Sequence, residues 1–427
     1  MFLEDIAAGP SGKTVTYQAP KGTRDFFPAE LANLRHIESA WRKVAINAGF
    51  DEIDGPTFEH LELYTVKSGE SIVNELFSFK RSGGKTDYAL RPEFTPTLAR
   101  MATSKGRSLS LPTKWFAIPH HFRAERPQRG RLREHKQWNV DLLGIDNPSA
   151  DAEVIATAIA ALIELGLTSQ DVVVRISHRS VVTSLLKAKG VTDHNLNQAL
   201  ALLDKKEKME PSAFNEKVSE AGLPLEAFEV LNSSKNIEHD ELTTLQEELE
   251  RWAIQDWCVF DFNIVRGLDY YTGIVFEIHE RSGNERAIAG GGRYDKLVET
   301  FGGPSIPAVG FGMGDVVLGL VLKDKNLLED GTQLLPKPCV FVVSACDLGD
   351  TKIASIVALL RASGIHARQS YKTTHNVGKL LTEATKAQAK YAVILGEELQ
   401  SNRLLVKNLN TGEQEEVSPN DLLSHLS

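Results

Sequence analysis

Residues 122–144 read "FRAERPQRGRLREHKQWNVDLLG". Between positions 122 and 136 stand Arg123, Arg126, Arg129, Arg131, Arg133 and Lys136, opposed by Glu125 and Glu134 alone. The planar guanidinium fork suits phosphate oxygens, and crowding such cations is unfavourable unless an anion visits them. On charge count a solvated loop tip explains the run equally well. The flanks favour an anion site: "TKWFAIPHHFR" before it and "QWNVDLLGI" after it are apolar strand patterns, so the stretch reads strand, loop, strand. Strands on both sides hold the arginines against a sheet, where unused positive charge is costly.

The rest of the chain supplies that sheet. Its 427 residues are 42% hydrophobic, enough for two or three domains with real cores. A formal net charge of −9 gives no support to a dedicated nonspecific DNA binder, so the arginine run has to be judged locally. No run approaches the roughly 18–20 apolar residues that span a bilayer, and the start lacks a basic region followed by an apolar one. The expected location is cytoplasmic, with no membrane partner. Cys258, Cys339 and Cys346 form no Cys-x-x-Cys pair and have no zinc-finger spacing, so they read as reduced thiols.

Residues 1–18 read as a flexible N-terminal segment. In "AELANLRHIESAWRKVAINAGF" a stripe of Leu31, Leu34, Ile37, Trp41, Val44 and Ala45 predicts a helix from Pro28 that Gly49 stops. "SADAEVIATAIAALIELG" (149–166) predicts a second, with Ser149 as its N-cap. Charged amphipathic helices without strand alternation fill 179–255, an all-helical insertion. Strand patterns return over 256–325 in "CVFDFNIV", "TGIVFEIHE" and two glycine-rich runs. A linker spans 326–337. From 338 to 427 strand and helix alternate, which predicts a small, largely parallel, helix-covered sheet with a closing hairpin at "NTGEQEEVS".

Three further stretches could carry chemistry. "VRGLDYYTGIVFE" (265–277) sets Arg266 and Asp269 beside Tyr270 and Tyr271; it is either a functional constellation or a satisfied structural network. "AGGGRYD" (289–295) permits close approach of backbone to a ligand, or makes a tight turn. "GFGMG" (310–314) lacks the Gly-x-Gly-x-x-Gly spacing of a dinucleotide site. His120 and His121 read as strand residues, not metal ligands.

Together these segments resemble the histidyl-tRNA synthetase family, of the class II aminoacyl-tRNA synthetases, from about residue 19 to the C-terminus. "PKGTRDFFP" (20–28) is similar to the family's opening signature and "GFDEIDGPTFEHLELY" (49–64) to motif 1, with Pro56 at a dimer interface. The arginine-rich stretch resembles motif 2, and "RGLDYYTGIVFE" and "AGGGRYD" resemble the two signatures particular to the histidine enzymes. The resemblance implies an α+β fold. Residues 19–178 and 256–325 would form a catalytic domain of antiparallel sheet flanked by helices, 179–255 a helical insertion near the acceptor arm, and 338–427 an α/β anticodon-binding domain. It implies a homodimer that activates L-histidine with ATP and Mg2+ to histidyl-adenylate, then charges the 3'-terminal ribose of tRNA(His), without an editing domain.

By the same resemblance Arg123 and Arg266 are catalytic, at the α-phosphate and carboxylate. Glu93, Thr95 and Gln137 would take the α-amino group of histidine, and Asp141, Tyr270, Tyr271 and Tyr294 would surround its ring. Glu125, Arg131, Arg133 and His135 would join Arg123 at ATP. Independently of any matched motif, Lys372, Lys379 and Lys386 are cations of the C-terminal region placed to meet anticodon phosphates. Two positions depart from the family. Asp315, Val316 and Val317 stand where motif 3 ordinarily brings an arginine against adenine, and His135 stands where motif 2 ordinarily has a stacking phenylalanine. "REHKQWN" with "GFGMGD" resembles a divergent branch that includes plant organellar enzymes. The rival is a non-catalytic paralogue, the regulatory subunit of ATP phosphoribosyltransferase, which typically lacks the anticodon domain.

Overall fold

The computed structural model describes residues 17–68, 76–206, 209–233, 238–266, 270–328 and 330–426. The N-terminal segment 1–18 lies outside these residues except for its last two positions, and Asp269 lies outside them as well. The chain divides into two compact units, Met1–Leu334 and Leu335–Ser427.

The first unit begins with α1 (Pro28–Asn47), where proline at the first turn presets φ and Gly49, at φ +78°, ends the helix. Of the stripe read from sequence, Leu34, Ile37, Trp41, Val44 and Ala45 are buried, while Leu31, in the first turn, is 37% exposed. There follow β1 (Asp51–Glu52), β2 (Phe58–His60), α2 (Glu62–Ser68), β3 (Ser78–Lys80), β4 (Asp87–Leu90), α3 (Thr95–Lys105), β5 (Thr113–Ala117), β6 (His120–Phe122) and β7 (Glu134–Leu143). Next is α4 (Pro148–Glu164), whose N-cap is Asn147, accepting from the Ser149 N–H, and not Ser149 itself. Pro148 takes the first helical position, so the helix starts two residues earlier than serine capping would place it. After β8 (Val172–His178) come the five helices of the insertion, α5 (Arg179–Ala188), α6 (Leu196–Leu203), α7 (Pro211–Glu220), α8 (Glu226–Ser233) and α9 (Asp240–Arg251). β9 (Cys258–Phe260), β10 (Ile274–Glu280), β11 (Ala289–Arg293), α10 (Leu297–Thr300), β12 (Ala308–Gly314) and α11 (Asp315–Asp324) complete the unit.

Nine strands form one sheet in the order β1-β5-β7-β12-β11-β10-β8-β9, with β6 added on β7. Only the end pairs β1–β5 and β8–β9 are parallel; the interior is antiparallel. Alternation along the strands separates two faces. Trp138, Val140 and Leu142 of β7, Ile274, Phe276 and Ile278 of β10, and Val309, Phe311 and Met313 of β12 pack into one core with α1, α4 and α11. Trp41 of α1 stacks on Trp138 at 6.1 Å. The other face carries a smaller cluster in which Phe94 and Leu98 meet Tyr270, Tyr271, Val275 and Tyr294. Beside that cluster the sheet turns polar or bare, and there the site lies.

The second unit holds β13 (Val340–Ser344), α12 (Asp347–Ala362), β14 (Ala367–Gln369), α13 (Val377–Lys386), β15 (Tyr391–Leu395), β16 (Leu404–Asn408), β17 (Gln414–Val417) and α14 (Leu422–Leu426). Its sheet runs β14-β13-β15-β16-β17. The largely parallel sheet read from sequence is parallel only over β14, β13 and β15. No α-helix crosses between β15 and β16, so that pair is antiparallel, as is the β16–β17 hairpin. Among the described residues no helix is long and apolar enough to cross a membrane, and Cys258, Cys339 and Cys346 are free thiols.

Candidate active site

The bare patch follows from glycines at every second position of two neighbouring strands. Gly290 and Gly292 of β11 and Gly310 and Gly312 of β12 all face the side opposite α1 and α4. "AGGGRYD" is thus not a tight turn: its first five residues are a buried central strand. A Cβ built at Gly310 would overlap Asp141 Oδ1, one at Gly312 would overlap Gln137 Nε2, and one at Gly290 would overlap the Arg266 guanidinium. The missing side chains leave room for Asp141 and Gln137, reaching in from β7, and for Arg266 on the opposite side. A ligand placed between them would rest on backbone.

Arg266 holds a left-handed φ of +52°, a conformation that strains a residue with a Cβ by roughly 1–3 kcal/mol and therefore needs firm support. Its Nη1 donates to Glu277 Oε1 at 2.8 Å, and its guanidinium lies 5.9 Å from the Tyr271 ring centre. His279 Nε2 engages the other Glu277 oxygen at 2.8 Å. Burial opposes the charge on Arg266, but Tyr271 and Glu277 outweigh it and hold its pKa above the ordinary arginine value. For Glu277 burial is likewise outweighed, by His279 and Arg266, and its pKa falls to about 2. Both groups are therefore permanently ionised. The buried Nε of Arg266 has no hydrogen-bond partner among the described residues.

Arg123 stands at the base of the arginine-rich loop, which closes where its N–H meets the Arg133 carbonyl at 2.9 Å. Its Nε points to the Pro92 carbonyl at 3.3 Å. Burial, then Arg131, lowers its pKa, while Glu93 and Glu125 work the other way. Arg123 and Arg266 both act electrostatically on Glu93, so two guanidiniums from segments 143 positions apart (266 minus 123) bear on one carboxylate.

Around Glu93 lies a polar, aromatic pocket. The Tyr270 hydroxyl donates to Glu93 Oε2 at 2.7 Å, and burial raises the Glu93 pKa against the pull of Tyr270, Arg123 and Arg266. Thr95 opens α3, buried, beside the Tyr270 hydroxyl. Tyr270 lies 4.8 Å from Tyr271 and meets Tyr294 edge-on at 6.0 Å. Tyr294 donates to Asp141 Oδ1, whereas Asp141 Oδ2 is buried without a partner among the described residues. Burial pushes the Asp141 carboxyl up to about 7. Gln137 Nε2 donates to Asn139 Oδ1 at 3.2 Å.

On the loop side Arg131 forms an ion pair with Glu125, and Arg133 Nε donates to the Glu125 carbonyl at 3.2 Å. Arg133 also donates its N–H to the Gly22 carbonyl at 2.8 Å, which straps the N-terminal signature across the start of β7. His135 is buried and stacks on His121, ring centres 5.6 Å apart. Burial and Arg123 bring its pKa down to about 3, so it presents a neutral flat ring. Arg129 leaves the cluster to pair with Glu285, and Arg126 is exposed. His120 lies 3.1 Å from Glu134.

Asp315, one of the unusual residues, has a structural task. Its Oδ2 accepts from Arg24 Nη2 at 2.7 Å and its Oδ1 from the Lys136 N–H at 2.8 Å, tying the N-terminal signature, β7 and the start of α11 together. Val317 packs toward Gly130 at the loop tip. Glu277, His279 and Arg24 were not singled out for roles from sequence. Alternation of Val275, Glu277 and His279 with apolar Ile274, Phe276 and Ile278 was the available signal for the first two. In the second unit Lys372 pairs with Glu383 at 3.3 Å, while Lys379 and Lys386 are exposed on α13.

The family model described as Histidyl-tRNA synthetase matches residues 22–314, and that described as Anticodon binding domain matches residues 340–427. The chain is 38% identical over 425 residues to the histidine–tRNA ligase of Opitutus terrae, covering 94% of this chain and 96% of that one. To the chloroplastic/mitochondrial histidine–tRNA ligase of Arabidopsis thaliana it is 36% identical over 426 residues, covering 96% and 87%. The crystal structure of histidyl-tRNA synthetase from Nostoc sp. PCC 7120 superposes with a TM-score of 0.74 at 23% identity, over 97% of this chain and 99% of that one, which speaks to the fold.

Proposed function

The chain belongs to the histidyl-tRNA synthetase family, and on that premise we propose that its glycine-floored site joins L-histidine to AMP and then esterifies tRNA(His). The reading is carried by the convergence of Arg123 and Arg266 with Glu93 beside a sheet surface stripped of side chains. In activation a carboxylate oxygen of histidine attacks the α-phosphorus of ATP and the bond to pyrophosphate breaks. Negative charge grows on the α-phosphate oxygens, and two half-buried cations already in place stabilise it with little reorganisation. Glu277 and His279 keep Arg266 there.

Glu93, Thr95 and Gln137 receive the ammonium group. The free Oδ2 of Asp141 accepts an imidazole N–H, with Tyr270, Tyr271 and Tyr294 packed round the ring. An analogue lacking that N–H leaves a buried carboxyl oxygen unpaired, a penalty that discriminates by about 10⁴–10⁵ without proofreading. Arg131 and Arg133 support the nucleotide, Glu125 contacts adenine, and His135 stacks on it. In the second step the terminal ribose hydroxyl attacks the adenylate carbonyl and AMP leaves, with no covalent enzyme intermediate; placement of the hydroxyl governs the rate.

Glu125, Glu277 and Glu285 are each engaged by an arginine, and Mg2+ would enter with the ATP it coordinates. The C-terminal unit reads splayed anticodon bases, with Lys372, Lys379 and Lys386 at phosphates. A homodimer through motif 1 is supported by an exposed aromatic cluster beside it: Phe58 of the motif is 48% exposed and Phe79 of β3 44%, with ring centres 5.7 Å apart. The free thiols fit a reducing cytoplasm.

Histidine-dependent exchange of labelled pyrophosphate into ATP tests the proposal. Robust exchange that collapses in Arg266→Ala supports it. No exchange by the wild type, with histidine still bound, sinks it in favour of a non-catalytic regulator.

A further inference from the structure

The loop between β10 and β11 carries Arg286 to the tip of the arginine-rich loop. A Cβ built at Gly130 would lie 3.2 Å from Val317 Cγ2 and 3.6 Å from Arg286 Cδ, so the arginine stem, the glycine and the valine meet at one point. The charged neighbours of this guanidinium are Arg131 and Glu125, which are already paired with each other. Arg129 takes the other nearby acid, Glu285, through Nε at 2.7 Å. Arg133 is occupied by the Glu125 carbonyl.

The acids of this corner are thus spoken for, and Arg286 has none: its Nη1 is buried with no hydrogen-bond partner among the described residues. A half-buried guanidinium next to a second one, with a buried N–H unpaired, is unfavourable by itself. Burial and Arg131 accordingly lower its pKa from the usual arginine value, against Glu125. One polyanion with several oxygens satisfies the N–H and offsets the repulsion together.

We propose that Arg286 binds the β- and γ-phosphates of ATP alongside Arg131, supplying at the loop tip the cation that Val317 does not. This rests on the reading that the site activates histidine with ATP. The loop's geometry sets the phosphate order. Arg123 marks the base, where its N–H joins the Arg133 carbonyl, and the Gln128–Arg131 bridge marks the tip, where Gly130 meets Arg286. A triphosphate with its α-phosphate at Arg123 and Arg266 runs outward toward Arg286.

The test uses the full chain with Arg286→Met and Arg286→Lys. KM for ATP and for histidine come from pyrophosphate exchange, and Kd for ATP and for AMP from calorimetry. Arg286→Met is expected to raise KM and Kd for ATP about ten- to a hundredfold, leaving Kd for AMP and KM for histidine within about twofold; Arg286→Lys recovers much of the loss. Unchanged ATP parameters overturn the assignment. So does an equal rise for AMP, which would put Arg286 at the base or α-phosphate, or an equal rise for histidine with a lower melting midpoint, which would make it structural. Absence of exchange in the wild type counts against the functional reading itself, whereas exchange indifferent to residue 286 counts against Arg286 alone.

Discussion

Replacing Asp141 by asparagine isolates the electrostatic character of the proposed imidazole pocket. Asp141 is 1% exposed, and burial lifts its pKa from 3.8 to about 7, with the Tyr294 hydroxyl pulling downward. Between those values the folded protein keeps a proton that the unfolded chain has released. The stability tied to that proton is complete below about pH 4 and is lost as pH rises toward 7, at about 1.4 kcal/mol per unit and about 4 kcal/mol in all. Asp141→Asn keeps the shape and the acceptor for Tyr294 but has no proton to lose. Its unfolding free energy minus that of the wild type should therefore climb by about 2 kcal/mol from pH 5 to pH 7 and change little further by pH 8. Urea denaturation followed by tryptophan fluorescence measures this within the catalytic unit, because Trp41, Trp115, Trp138, Trp252 and Trp257 all lie before residue 335. The same variant should raise KM for histidine at pH 8, having gained stability by losing its charged acceptor. A pH-independent difference would refute the reasoning, since it would mean that the carboxyl is not held out of water without a second partner.

Gly290→Ala should lower kcat for activation by about tenfold or more with little change in KM for ATP, because its Cβ displaces the Arg266 guanidinium; pyrophosphate exchange reports it. His135→Ala should raise KM for ATP by the worth of one stacked base, roughly 1–3 kcal/mol, while His135→Phe stays within about threefold. With an imidazole pKa of about 3, the stacking contribution should not vary between pH 6 and 9, as a KM profile would show. Arg293→Met strands the buried Asp151 carboxylate and should destabilise the first unit by about 3–5 kcal/mol in urea denaturation.

Local patterns carried much of the fold. The stripe from Leu34 to Ala45 is intrinsic to α1, and the alternation in β7 sorts Trp138, Val140 and Leu142 from Gln137 and Asp141. The cap of α4 is Asn147 and not Ser149, because Pro148, which favours the first helical position, sets the start of the helix. The parallel character of the second sheet was overestimated because short apolar runs do not encode strand direction; the connection between them does. The site was legible as residue types, since the guanidiniums, tyrosines and carboxylates sit in short quoted stretches. Its architecture was not. The spacing "GFGMG" was set against a nucleotide-loop template, yet its period of two is that of a strand with one bare face. The partners Arg24 and Asp315, 291 positions apart, and Arg286 beside Gly130 are consequences of strand order, which no local window contains.

A co-crystal structure with a non-hydrolysable histidyl-adenylate analogue tests the central claim most directly. The phosphoryl mimic is expected within about 3 Å of Arg123 and Arg266, with the imidazole donating to Asp141 Oδ2 and the ligand lying on the backbone of Gly290, Gly310 and Gly312. Both guanidiniums turned away from the phosphorus position, or the ligand seated off the glycine floor, would contradict it.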